Sequence, residues 1–412
     1  MKHWEIKLSL FVNYFVFALL LNSVGTVILQ VQNNFGVSES AASVLEAFKD
    51  LSIAATSFIV AAYIVRIGYK RAMLIALGFV TLACLAMTQL PAFWMTKLLF
   101  ATTGVGFALT KVSVFATIGL VTDDEKEHVS FMNFIESFFM VGILSGYFIF
   151  SAFVDDANPQ STSWLVVYYL LAGLSAFAFV LLWATKLDES KVQHKDAKNF
   201  ADDFAGMLKL IGKPLVLIFI ISAFLYVLIE QGIMSWLPTF NSKILHLSNS
   251  LAIQMSSILA GSFALGRFIG GFTLKKFDWF KVLAVCLLGA AALVWLTMPL
   301  AKNVGTDTIN SLSQAPLAAF IFPMIGILLA PIYPAINSTI LSSLPVQQHA
   351  PMSGLIVVFS ALGGTTGSII TGYMFEHFDG QTAFTMSVIP IGLILIVLWF
   401  FKKETAKEAP AH

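Results

Sequence analysis

The chain has 412 residues, of which 58% are hydrophobic and only 11% charged, with a formal net charge of +1. A soluble domain carries about a quarter charged residues, so a water-exposed globule is excluded, and the balanced charge offers no basic surface for nucleic acid. The 38 Phe residues and a mean hydropathy of +0.84 exceed what one core buries; the apolar residues fall in long blocks divided by short polar segments, as membrane spans do.

About 20 apolar residues cross about 30 Å of hydrocarbon, and they do so as a helix because every backbone polar group must be satisfied internally. Twelve blocks qualify: 8–30, 40–65, 72–91, 94–121, 130–154, 164–185, 214–239, 250–274, 282–301, 315–341, 352–375 and 383–401. The first follows Lys2 and Lys7, but it is too long for a secretory leader and "LLLNSVGT" offers no small-x-small cleavage site, so it reads as a span. Cys84 and Cys286 lie inside apolar blocks of different halves and read as core thiols.

One long polar segment, 186–213, divides the chain into six spans and six spans. The expected organisation is an N-terminal bundle 1–185, a linker 186–213, a C-terminal bundle 214–401 and a tail 402–412. Orientation follows from Lys and Arg in the connections. With the N-terminus inside, the cytoplasmic side holds Lys2, Lys7, Arg66, Lys70, Arg71, Lys126, the six lysines of the linker, Lys275, Lys276, Lys281, Lys402, Lys403 and Lys407; the opposite side holds Lys243 and Lys302, with Lys97 just inside the fourth block. Both termini are expected in the cytoplasm of a bacterium, with the chain in its inner membrane. The halves echo each other as a transporter built from repeats would: Ser130, Ser137 and Ser145 match Ser353, Ser360 and Ser368 in spacing, and "RIGYKR" after span two matches "GGFTLKKFDWFK" after span eight as a short basic loop.

Seven ionisable residues fall inside spans: Glu46, Lys49 and Asp50 in the second, Lys111 in the fourth, Glu136 in the fifth, Glu230 in the seventh and Arg267 in the eighth. Each costs about 2.5 to 3.5 kcal/mol at mid-bilayer, so all must face a cavity or one another. Glu46, Lys49 and Asp50 share a helix face at i, i+3 and i+4, which suits either a proton relay or a structural ion-pair cluster. Lys111 and Glu136 lie at depths that differ by about 6 Å on antiparallel spans; they read either as a proton-coupling pair that frees an ammonium for a polar or anionic solute, or as a lock between two helices. Arg267, among Gly266, Gly270 and Gly271, reads as a gate or packing residue. Glu230 and Gln231 precede Gly232 and Pro238, which loosen that helix.

The stretch "AAYIVRIGYKRA" resembles the signature loop between helices two and three of the major facilitator superfamily: Arg66, Gly68, Lys70 and Arg71 fit, while Ala61 and Val65 stand for the first Gly and the acid. Together with twelve spans and a six-plus-six division, the resemblance covers essentially the whole chain. "EQGIMSWLPTF", "GRFIGGF" and "IYPAINS" make it similar to the fucose and hexose proton symporter group. It implies an all-α membrane protein of two pseudo-symmetric six-helix bundles, a secondary transporter that is monomeric, takes a small-molecule substrate and uses the proton as coupling ion, with Arg66, Gly68, Lys70, Arg71 and Arg267 at a cytoplasmic gate. Gly25 and Leu109 stand where sugar-carrying relatives place coupling acids. A sugar site needs amides and aromatics; the candidates are Asn13, Asn22, Gln30, Asn133, Tyr226, Gln231, Trp236, Tyr333 and Asn337, and the fold's cavity-lining helices favour Asn22, Tyr226 and Asn337. Pro331 and Pro334 are expected to kink span ten.

No enzyme is expected. The sequence has no Walker loop, its His residues lack metal-ligand spacing, and no His lies mid-span to serve as a base, so no cofactor or metal is anticipated and lipid is the other partner. The readings that remain are proton-coupled uptake of a small polar solute such as a sugar, handling of an anionic metabolite or export of an amphipathic compound, and a membrane sensor without transport.

Overall fold

The computed structural model describes residues 4–122, 125–189, 208–302, 304–305, 307–345 and 348–408, so most of the proposed linker and the end of the tail lie outside the described residues. Among the described residues the chain is helical, apart from an isolated bridge between Leu247 and Ile309. Eleven helical segments among the described residues are long and apolar enough to cross a membrane. The remaining expected span is a helix of 29 residues, Glu39–Ile67, whose Glu39, Glu46, Lys49, Asp50 and Arg66 set it apart from the rest. Lipid-type surface is plain on the others: Phe79, Leu82, Trp183, Phe268, Trp295 and Leu296 are each more than 60% exposed, which a water-soluble protein does not sustain over a contiguous face.

In chain order the elements are α1 (Trp4–Asn22), α2 (Val24–Phe35), α3 (Glu39–Ile67), α4 (Tyr69–Gln89), α5 (Phe93–Val121), α6 (Glu125–Ser151), α7 (Val167–Ala184), α8 (Pro214–Lys243), α9 (Asn249–Lys276), α10 (Trp279–Ala301), α11 (Leu317–Ile321), α12 (Ile325–Leu329), α13 (Ile332–Ser342), α14 (His349–His377), α15 (Gly380–Thr385) and α16 (Val388–Glu408). Among the described residues three expected spans are therefore interrupted, the twelfth at residues 386–387 between α15 and α16. The first breaks at Ser23, where Asn22 Nδ2 donates to the Ala18 carbonyl at 3.0 Å and Ser23 Oγ to that of Leu20 at 2.7 Å; these bonds satisfy carbonyls left open at a helix end. The tenth is divided into α11, a short 3-10 turn at Phe322–Met324, α12 and α13. Pro316, Pro323 and Pro331 stand at the joints, each without the N–H an uninterrupted helix needs.

The chain clusters into two compact units, Met1–Phe35 with Phe48–Phe200, and Gly36–Ala47 with Ala201–His412. In the first unit α1 packs against α5, α6 and α7, and α4 against α5 and α7. Trp164, Tyr168, Tyr14, Phe17, Phe100 and Phe150 are its largest fully buried side chains. In the second, α8 is the central element and packs against α9, α13, α14 and α16, burying Trp236, Tyr226, Phe219 and Phe240. Residues 39–47 of α3 belong to this second unit: Glu39 pairs with Lys243, Ser40 N donates to Glu376 Oε2 at 2.9 Å, and Ser368 Oγ bridges Trp236 Nε1 and the Ser43 carbonyl.

The loop between α3 and α4 is built around Gly68, whose φ of 90° lies in the region L side chains avoid. It lets Glu189 cap α4, accepting from Tyr69 N at 3.1 Å and Lys70 N at 2.7 Å; a carboxylate there also complements the helix dipole. Lys70 Nζ reaches the carbonyls of Trp183 at 3.0 Å and Thr185 at 2.5 Å. A Cβ at Gly68 would stand 2.7 Å from Glu189 Oε2. Gly68→Ala is expected to lower stability by about 1 to 3 kcal/mol through the strained φ and the displaced cap. Glu189→Gln, which keeps the backbone relaxed, should cost about 1 kcal/mol. Thermal unfolding of the two purified variants checks the order; an unchanged midpoint for Gly68→Ala would refute it.

Candidate functional site

In the first unit three helices bring one cation, one acid and one phenol together. Lys111 sits well inside α5, and Phe107 and Phe115, one turn before and one after on the same helix face, place their ring centroids 5.6 and 5.8 Å from its Nζ. Tyr14 of α1 lies against these rings and against Phe139 of α6, at centroid distances of 6.0, 6.2 and 5.0 Å. Its hydroxyl donates to Glu136 Oε1 at 3.2 Å. The Glu136 charge acts on Lys111, yet no ion pair within 4.0 Å joins Lys111 to an acid among the described residues. Lys111 is itself exposed, although it stands well inside its helix.

The second unit carries a different set. On α8, Tyr226 donates to Glu230 Oε1, one turn on, at 3.1 Å. The Tyr226 ring stacks on Tyr333 of α13 at 5.4 Å and 22°, and the Tyr333 hydroxyl shares a hydrogen bond with Ser360 Oγ of α14 at 2.8 Å. Asn337, one turn beyond Tyr333, keeps its buried Oδ1 without a hydrogen-bond partner. Arg267 of α9 is exposed and within electrostatic reach of Tyr226, and Gln231 is half-buried beside Glu230. Two stacked rings whose hydroxyls bond Glu230 and Ser360, with an amide oxygen that lacks a donor beside them, make a polar group within the packing of this unit.

The acids and base of α3 are treated differently. Glu46 is fully buried in the second unit and accepts from Ser235 Oγ at 2.7 Å. Lys49 and Asp50, in the first unit, pair with each other at 3.4 Å. Of the remaining expected residues, Asn22 is engaged with its own helix at the α1 break, and Arg71 lines an apolar surface groove with Leu74, Phe79 and Phe179. The side chains of Asn133 and Arg66 lie outside the described residues. Sequence reasoning missed Tyr14, hidden in an apolar block where a Tyr looks like core. The Phe107–Lys111–Phe115 spacing was legible in "FALTKVSVF"; Ser235 gave no signal.

The sequence profile of the Major Facilitator Superfamily matches residues 10–365. Among curated proteins, a Protein TsgA homolog of Buchnera aphidicola subsp. Baizongia pistaciae (strain Bp) is 24% identical over 308 residues, covering 73% of this chain and 70% of that one. One from Yersinia enterocolitica is 25% identical over 296 residues, covering 70% and 68%. Among solved structures, a bacterial homolog of the human lysosomal transporter Spinster, inward-facing and unoccupied, superposes with a TM-score of 0.80 at 15% identity over 100% of both chains. The transporter FucP in its outward conformation gives 0.61 at 16% identity over 96% of this chain and 98% of that one. The D-xylose-proton symporter gives 0.72 at 14% identity over 97% and 98%. The twelve expected spans and the two-unit division agree with that fold, and with a profile match over most of its length the chain belongs to the Major Facilitator Superfamily of membrane transporters.

Proposed function

We propose that the chain is a secondary active transporter that takes up a small polar solute by alternating access and couples the movement to protons, in a bacterial inner membrane with both termini cytoplasmic. The organisation that goes with this reading is a six-helix bundle over 1–185, a linker over 186–213, a second bundle over 214–401 and a short tail. The observation that carries it is the mid-span group of Tyr14, Lys111 and Glu136: a carboxylate able to take up a proton, hydrogen-bonded at 3.2 Å, beside a cation with no ion-pair partner among the described residues. Charges are kept inside a membrane at a cost of several kcal/mol where a pathway uses them. The stacked Tyr226 and Tyr333 with Ser360 and Asn337 support a solute bearing hydroxyls, and structural neighbours include a protein named as a D-xylose-proton symporter.

The test is proton influx into liposomes holding the purified protein, read with an interior pH dye while fucose, glucose, N-acetylglucosamine and then small carboxylates are supplied outside. Acidification that follows solute addition and is absent from empty liposomes is the expected result. No proton movement with any of these solutes would refute proton-coupled uptake.

A further inference from the structure

A lysine that only holds helices together stands against a carboxylate, because an uncompensated ammonium inside a membrane costs several kcal/mol. Lys111 is not held in this way. What surrounds its Nζ is the pair of rings at 5.6 and 5.8 Å, while Glu136, the acid that acts on it, is bonded instead to Tyr14 at 3.2 Å. Lys111 is exposed. Among the described residues, Tyr14 from α1 and Lys111 from α5 feel the Glu136 charge, and Lys7 from α1 faces α6 further along, over the Phe131 ring at 5.4 Å. The arrangement leaves Lys111 balanced in total charge but not in contact, and so able to accept an anion directly.

We infer that the solute is a small monocarboxylate whose carboxylate seats on Lys111 between Phe107 and Phe115, an inference that rests on the proposed transport reading. One negative charge is specified because, among the described residues of this unit, the other mid-span lysine, Lys49, is already paired with Asp50 at 3.4 Å. The flanking rings supply an apolar wall for carbon next to the carboxylate and attract the ammonium through their faces. Charge then fixes the stoichiometry. In the empty carrier Lys111 is balanced by ionised Glu136. In the loaded carrier it is balanced by the solute, and Glu136 must hold a proton for the group to remain neutral. The cycle therefore moves one proton with one monoanion and transfers no net charge.

The closing experiment compares matched neutral and anionic solutes in the same proteoliposomes: glucose with gluconate, galactose with galacturonate, and lactamide with lactate. Membrane potential is set at several values by a potassium gradient with valinomycin. The expected result is acidification at least tenfold faster for one or more anions than for its neutral partner and unchanged by potential. It should fall at least tenfold in Lys111→Met and remain measurable in Lys111→Arg. Size-exclusion profile and unfolding midpoint establish that both variants are folded. Should Lys111→Met fail that check, the anion-to-neutral ratio and the voltage independence of the native protein still decide. Acidification by neutral members as fast as by anions, or full activity in folded Lys111→Met, overturns the monocarboxylate and leaves the transport reading standing. Silence with all six overturns both.

Discussion

A Glu136→Gln protein is expected to exchange labelled for unlabelled solute at close to the native rate, while accumulating solute under an inward proton gradient at least tenfold less. Exchange needs only the loaded carrier to cross, and in that state Glu136 carries a proton; Gln reproduces its neutrality and approximate shape. Accumulation needs the empty carrier to return. With Gln in place, Lys111 would then make the crossing uncompensated, and a few kcal/mol of added barrier slows that step by a factor of ten for each 1.4 kcal/mol. Removing both charges in Lys111→Met/Glu136→Gln relieves the imbalance, so the double variant is expected to be more stable than the sum of the two single losses predicts, the signature of coupled sites. Counterflow and gradient-driven uptake in the same vesicles separate the two steps. Gradient-driven accumulation at the native level in Glu136→Gln would remove Glu136 from the coupling role.

What could be read from the sequence followed from solvent. Apolar blocks about 20 residues long announce spans because lipid permits only internally bonded helices, and the helices fall on the expected blocks to within a few residues. What could not be read depends on partners far apart in the chain. The break at Ser23 is set by side chains turning back onto Ala18 and Leu20, and a serine in an apolar run gives no hint of it. Glu46, Lys49 and Asp50 look like one charged face, since helical spacing is all a sequence displays; the partner that takes Glu46 into the second unit is Ser235, nearly two hundred residues away. Depth along the helices places Lys111 and Glu136 at similar levels, but it does not say that Tyr14 claims the carboxylate. Orientation of side chains around a helix, more than position along it, is where the candidate site escaped the sequence.

The second large effect is structural and reaches the second unit's polar group. Gly367→Leu is expected to destabilise the protein by about 3 kcal/mol or more. α8 and α14 meet backbone to backbone: a Cβ at Gly367 would overlap the Leu228 carbonyl oxygen and stand 2.8 Å from its carbonyl carbon and 2.9 Å from its Cα. No rotamer change relieves a clash with main chain, so the helices must part, and with them go the close packing and weak Cα–H contacts that drive association where the hydrophobic effect is absent. Gly363, one turn earlier, meets the backbone of Phe224 in the same way, so the opening cannot be confined to one turn. Ser360 lies less than one turn beyond, and its 2.8 Å bond holds the Tyr333 ring that stacks on Tyr226 of α8. Gly367→Ala, with one carbon added, should still fold, with a lower unfolding midpoint and weaker solute binding than Tyr333→Phe, which loses the hydrogen bond alone at about 1 kcal/mol. If Gly367→Leu unfolds at the native midpoint, the α8–α14 contact does not set the stability of this unit; if Gly367→Ala binds solute as the native protein does, the contact does not position Ser360 and Tyr333.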